Sequence, residues 1–551
     1  MKIIEGNIVD IYRRKIFPGS IFIDGNKIFS IEENKNRYDN YILPGFIDAH
    51  VHIESSMLTP VEFSKLAISK GTVAIINDPH EIANVLGTSG INYMIENSQR
   101  ALIKIFFTIP SCVPATPFDV SGDVISLSDT EKLLNSGDFI GLSEVMNVPG
   151  ILQKEQELLK KIELFRRANL VIDGHAPGLT QHDLNKYISV GITTDHECSN
   201  LEEALEKIHA GMKILIREGS AAKNYEALKS LIGHYSDHLM FCTDDSHPDD
   251  LLSLGHIDKL VKRAIKDGFD LFDILKIAIL NPIRHYGVKV GTLRQGDSAD
   301  FIICKDLISF ETLSVYIEGE ERYNKIHKNR FSIDTLNTMS MTKILECSKE
   351  KFKRSQIKIT EVAKKVKKSI TAIQVQNNEI LTTKRYYLLP VQAENLEADI
   401  SQDLLKIVYL NRYVSNSIPQ IAYISGIGLK RGAFATSVSH DSHNIIAIGT
   451  NDKDLTDAIN KVLSNQGGLS VVDDGEILSL SLPIAGIMTD RSGEYVAGEW
   501  DKLVKRLQSM GCELESPFMT LSFMALVVIP ELKIGEKGLF DYSKFDFISN
   551  E

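Results

Sequence analysis

From Gly45 to about Tyr286 the chain alternates apolar runs of strand length with amphipathic stretches of helical length. The strand candidates are Gly45–His52, Thr72–Asn77, Lys104–Pro110, Phe139–Glu144, Leu170–His175, Ile192–His196, Met212–Ile216 and Leu239–Asp244. Thr59-Pro60-Val61-Glu62 reads as a capping box with proline at the first helical position. Asn200 can cap Leu201–Ala210, with Gly211 where a C-terminal cap belongs. Strand–helix units repeated in this way predict an α/β fold, a (β/α)8 TIM-like barrel over residues 45–286.

At 551 residues the chain is too long for one ordinary domain. Residues 1–44 read as short strands joined by turns at Gly6-Asn7, Pro18-Gly19 and Asp24-Gly25-Asn26-Lys27. The turn-rich stretch Gly291–Asp300 leads into Phe301-Ile302-Ile303, a strand returning to that small β domain, so residues 287–335 complete it. The lysine-rich stretch Ser348–Lys368 reads as a solvated helical surface or linker. Residues 340–551 mix β-like runs with helices and are expected to form an additional C-terminal α/β domain.

Composition narrows the function classes. The net charge of −12 disfavours a phosphate-backbone partner, so a neutral small molecule fits better than a nucleic acid. No apolar run reaches the ~18 residues of a membrane helix. The longest, Met519–Ile529, is interrupted by Thr520 and Ser522 and stopped by Pro530. The first residues lack a signal-peptide layout, and a cytoplasmic protein is expected. The six cysteines contain no C-x-x-C pair, which argues against a disulfide framework and a cysteine-rich zinc site.

Chemistry gathers at the strand ends. His50 and His52 are alternate residues of one strand and project together. Two histidines at a strand end are often unrelated, but His175, His196 and Asp244 end three further strand candidates. Parallel barrel strands bring all these ends to one face, where such folds place their sites. Glu144 ends another strand there, and its two oxygens can bridge two cations. The expected ligands are therefore His50, His52, Glu144, His175, His196 and Asp244. A divalent ion makes hydroxide available near neutral pH. Asp244 could take the proton and deliver it to a leaving amine, while Asp245 is placed to bond a substrate ring nitrogen. Pro79 biases Asp78 toward an extended conformation that can aim its carboxylate into the mouth. Asp78 is thus a catalytic candidate and Glu81 a substrate-binding one; His80 could equally be an ordinary helix-start residue.

These residues resemble a known family. Leu43-Pro44-Gly45-Phe46-Ile47-Asp48-Ala49-His50-Val51-His52 is similar to the opening of the amidohydrolase superfamily. Its continuation Ile53–Pro60, together with Asn77–Val85, Ser111–Thr116 and Cys242–Pro248, resembles the adenine deaminases, and the likeness runs over nearly the whole chain. The resemblance implies a distorted barrel with a flanking β-sandwich domain. It also implies a binuclear centre typically run with manganese, and hydrolysis of adenine, a free purine base, to hypoxanthine and ammonia. Iron or zinc remain competitors on ligand chemistry alone. Purine salvage is the implied setting, and a homo-oligomer, a dimer, is the expected assembly. Glu144 stands where many superfamily members use a carboxylated lysine. Thr243-Asp244-Asp245 is similar to a deaminase doublet in which the first Asp serves metal and proton transfer and the second contacts the ring.

Two other readings compete. A different amidohydrolase, acting on a cyclic amide or an N-acyl group, would use the same metal centre. A non-catalytic assembly protein on the same scaffold could lose its ligands freely, whereas every expected ligand position here is filled. In the C-terminal segment, Ser439-His440-Asp441-Ser442-His443-Asn444 could hold metal or form part of a lid, although histidines in a polar turn more often make hydrogen bonds.

Overall fold

The computed structural model describes residues 1–220, 222–327, 338–362, 369–377, 379–388 and 398–548. The expected domain boundary near residue 335 lies outside the described residues, as does the 363–368 part of the lysine-rich stretch.

Strands form at all eight expected places. Phe46–Val51, Thr72–Asn77, Lys104–Ile109, Phe139–Val145 and Val171–Gly174 pair in parallel, in chain order, in one five-stranded sheet. Thr194–Asp195, Lys213–Arg217 and Leu239–Cys242 form a parallel three-stranded sheet. Backbone bonds join the two. Thr193 N–H donates to Ile172 O (3.0 Å) at one seam. At the other, Asp244 N–H donates to His50 O (3.0 Å) and His52 N–H to Asp244 O (3.2 Å). The result is a TIM-like α/β barrel. Its strands read as unbroken apolar runs because helices cover them outside and side chains fill the interior; every residue of Phe46–Val51 and Thr72–Asn77 is buried. Gly45 has no alternative at its position, because a Cβ there would lie 2.0 Å from Val73 Cγ1.

The helix Pro60–Ser69 opens with proline as expected, but the capping box does not form. Thr59 makes no side-chain cap, and Glu62 turns to Lys65 at 2.5 Å. Asn97 Oδ1 accepts the free Val61 N–H instead (3.0 Å). Asn200 does cap Leu201–His209, accepting from Glu203 N–H.

Strands from before and after the barrel pair in one seven-stranded sheet. Its centre is Tyr41–Leu43, hydrogen-bonded to Lys2–Asp10 on one side and Phe301–Cys304 on the other. Farther along, an eight-stranded sheet from Ser369 to Ser481 carries the helix Asp452–Ser464 over its own apolar cluster. A larger apolar cluster runs continuously from Val9 through the barrel to Leu539. The C-terminal segment therefore packs onto the barrel. Thr489 N–H donates to Met57 O (3.0 Å), and Phe118 lies among Phe540, Phe545 and Phe547 with centroids 5.3–6.1 Å away. No helix among the described residues is long and apolar enough to cross a membrane.

Candidate metal centre

The strand ends converge. His50 lies in the first barrel strand and His52 just past it, and their ring centroids are 4.8 Å apart. His50 stacks on His196 at 4.4 Å, and His175 meets His196 edge-on at 5.4 Å. Glu144 lies between them with its oxygens turned to different partners. Oε1 is 3.4 Å from His52 Nε2 and 4.0 Å from His50 Nε2. Oε2 is 2.9 Å from His175 Nδ1 and 3.2 Å from His196 Nε2. Asp244 Oδ1 completes the first side, 3.4 Å from His50 Nε2 and 3.1 Å from His52 Nε2.

These residues suit a divalent cation. His50 Nε2 is fully buried without a hydrogen-bond partner, a costly arrangement unless something else binds it. His52 Nδ1 lies 3.0 Å from Asp78 O, which leaves its Nε2 for the centre. Three overlapping groups each bring ligand atoms close enough to hold an ion: His50, His196 and Asp244; Glu144, His175 and His196; and His52, Asp78, His80 and Glu144. Beneath them, Asp48 fixes the doublet strand, accepting Thr243 O–H at 2.5 Å and Thr243 N–H at 3.1 Å.

Asp78 is buried, but its carboxylate turns back onto its own helix start. Oδ1 accepts His80 N–H (3.1 Å), and Oδ2 lies 2.9 Å from His80 Nδ1. It is His80 that reaches the mouth, 3.6 Å from Glu144 Oε1. Glu81 also lines the mouth, between His440 and His443. Burial opposes its ionisation, yet the His440, His443 and His80 imidazoles outweigh burial and hold the carboxyl well below the usual range. Burial likewise opposes charging of His440, and the Glu81 carboxylate reverses this, raising it to about 9. Asp245 accepts Ser55 O–H at 2.5 Å; burial, with the Asp244 charge beside it, raises its carboxyl above the usual range.

The mouth holds a small cavity of about 40 Å³. The barrel supplies its imidazoles and carboxylates, and the C-terminal segment supplies an apolar roof of Ile380, Phe523, Leu526, Val528 and Ile529. A few convergent polar groups with apolar side chains beside them are the usual make-up of a small-molecule site.

Residues 41–322 match the model of the amidohydrolase family, and residues 379–546 that of the adenine deaminase C-terminal domain. An adenine deaminase from Methanosarcina mazei is 46% identical, over 100% of this chain and 99% of that protein. One from Sulfurovum sp. (strain NBC37-1) is 47% identical and one from Borreliella burgdorferi 45%, each over 99% of both chains. The chain belongs to the adenine deaminase family. Its members are metal-dependent hydrolases of the amidohydrolase type, and this chain carries both halves of the family's architecture.

Several residues of the mouth escaped the sequence reading. Arg217, at the end of its strand, places Nη1 2.6 Å from Asp244 Oδ2 and pairs with both oxygens of Glu197. Glu197 Oε1 in turn lies 3.2 Å from His196 Nε2. Both residues sit at strand ends, a signal that was available. The contacts of His440 and His443 with Glu81, more than 350 positions away in the chain, left no such signal.

Proposed function

We propose that this chain hydrolyses adenine to hypoxanthine and ammonia. The observation that carries the reading is full-length similarity to adenine deaminases combined with a mouth in which five imidazoles surround the two oxygens of Glu144. His50, His52, Glu144, His175, His196 and Asp244 would hold divalent ions, which we read as two manganese ions, the two Glu144 oxygens facing different imidazoles. When bound, such ions acidify water and make hydroxide available near neutral pH.

The chain's own groups do the rest. Asp244 takes the proton of the attacking water and passes it to the departing amine. Asp245, held by the Ser55 hydroxyl beside the mouth, makes a hydrogen bond with the substrate ring. Glu81, as an acceptor, binds a substrate N–H, and the apolar roof covers the ring. Asp78 serves by orienting His80 at the edge of the mouth. The same reading divides the chain into a barrel at 45–286, a small β-sandwich domain from 1–44 and 287–335, and a C-terminal α/β domain from 340. It also makes the protein a cytoplasmic homodimer serving purine salvage.

The test is ammonia release from adenine, adenosine and a cyclic imide after chelation, with and without added manganese. Release from adenine alone, restored by manganese, is expected. A manganese-loaded protein that leaves adenine intact but opens the imide would overturn the reading in favour of a cyclic amidohydrolase.

A further inference from the structure

His440 and His443 lie on the turn Ser439–Asn444, which the C-terminal segment presses against the barrel mouth. The turn is rigidly held. Asn444 Nδ2 donates to Val120 O (2.8 Å) and Tyr409 Oη (2.7 Å), Tyr413 O–H donates to Ser442 O (2.6 Å), and His440 N–H donates to Ser522 O (3.1 Å). The His440 ring stacks on Phe523 with centroids 4.8 Å apart and planes 19° from parallel.

The hydrogen bonds fix the roles of the two rings. Ser439 N–H donates to His443 Nδ1 (3.3 Å), so the proton of a neutral His443 is on Nε2, which contacts Glu81 Oε2. His440 Nδ1 lies 2.5 Å from the other oxygen, Oε1. Each Glu81 oxygen thus receives one imidazole N–H and keeps a lone pair. A carboxylate held this way can only accept, so the group it recognises carries an N–H. A free purine base has a ring N–H on its five-membered ring; a purine substituted at N9 has lost it.

We propose that His440 and His443 are positioning residues that hold the Glu81 carboxylate as acceptor for a ring N–H of the free base, making the C-terminal segment part of substrate recognition. This rests on adenine being the substrate. It gives the site a chemical reason to prefer a free base over a nucleoside, because the substituted ring offers no N–H to the remaining lone pair of a buried carboxylate.

Steady-state kinetics on the full-length, manganese-loaded protein test it, together with metal content and inhibition by hypoxanthine and 9-methyladenine. His440→Phe and His443→Phe each raise KM for adenine about 10- to 100-fold, the size expected for a charge-assisted hydrogen bond. Metal content is unchanged and kcat moves much less than KM. His440→Asn and His443→Gln return an amide N–H near the lost donor and recover most of the loss. Inhibition by hypoxanthine weakens in the phenylalanine variants, while that by 9-methyladenine, which lacks the N–H, does not. An unchanged KM in both phenylalanine variants overturns the proposal, as does equal weakening of both inhibitors. Should those variants not fold, Glu81→Gln replaces them; a KM rise is expected, and an unchanged KM again overturns it. A wild type inactive on adenine sinks the functional reading as well, whereas an active wild type with unaffected variants sinks this proposal alone.

Discussion

Arg217 Nη1 lies 2.6 Å from Asp244 Oδ2, so one oxygen of the doublet's first carboxylate is held by a guanidinium while the other faces His50 and His52. The same guanidinium neutralises Glu197, and all three groups are buried. Removing the cation would strand two carboxylates. Arg217→Met is therefore expected to destabilise the fold by about 3–5 kcal/mol, the usual cost of deleting one partner of a buried ion pair. Denaturant unfolding checks this, and Arg217→Lys should recover part of the loss because charge is kept and the bidentate geometry is not. A loss below about 1 kcal/mol in Arg217→Met would mean that Glu197 and Asp244 find other compensation.

Glu144 offers one oxygen to His52 and the other to His175 and His196. Glu144→Gln keeps the shape but replaces one anionic oxygen by an amide that cannot ligate on that side. We expect the purified variant to lose at least one equivalent of metal and deamination to fall at least ~100-fold, the upper end of what disturbing a ligand's support costs. Wild-type turnover at full metal content would show that Glu144 does not join the two sides.

The convergence of these side chains was readable because parallel strands deliver their last residues to one face whatever the loops do. His50, His175, His196, Glu144 and Asp244 each end an apolar run, and the fold brings those ends together. The pairing of Asp78 with its neighbour His80 was not readable, because local sequence does not say which way a buried carboxylate turns among several imidazoles. The roof was equally hidden. Met519–Ile529 stands out in sequence only as the longest apolar run; in the fold it is a short helix and a tight turn that hang Phe523, Leu526 and Ile529 over the floor. Pairings between segments so distant are set by tertiary packing, which local periodicity does not encode.

Lys207 shows how the loops that carry His175 and His196 are braced. Its ammonium, wholly buried, donates to Ala176 O (2.6 Å), next to His175, and to Asp195 Oδ2 (3.0 Å), next to His196. Glu203 Oε1 accepts the third bond at 2.7 Å. Lys207→Met leaves Asp195 without its cation and loosens both histidine positions together. The expected result is a 10- to 100-fold weaker metal affinity, by the general scale for losing outer support. Titrating chelated protein with manganese measures it; unchanged affinity would mean that the strands alone set the imidazole positions.

His247 is expected to make the fold sensitive to acid. The ring is buried edge-on against Trp500 (centroids 4.1 Å apart), and burial, only partly offset by Asp250 and reinforced by His440, lowers its pKa to about 4. In the unfolded chain the same imidazole titrates near 6.5. Between these values the unfolded state binds a proton that the folded state does not, so stability falls as pH drops from about 6.5 toward 4 and is fully present above 6.5. The loss amounts to roughly 3 kcal/mol over that window. His247→Asn removes the titration, and its unfolding free energy should therefore decline less steeply than wild type between pH 6.5 and 4.5. Parallel slopes for the two proteins in that interval would assign the acid sensitivity to other groups.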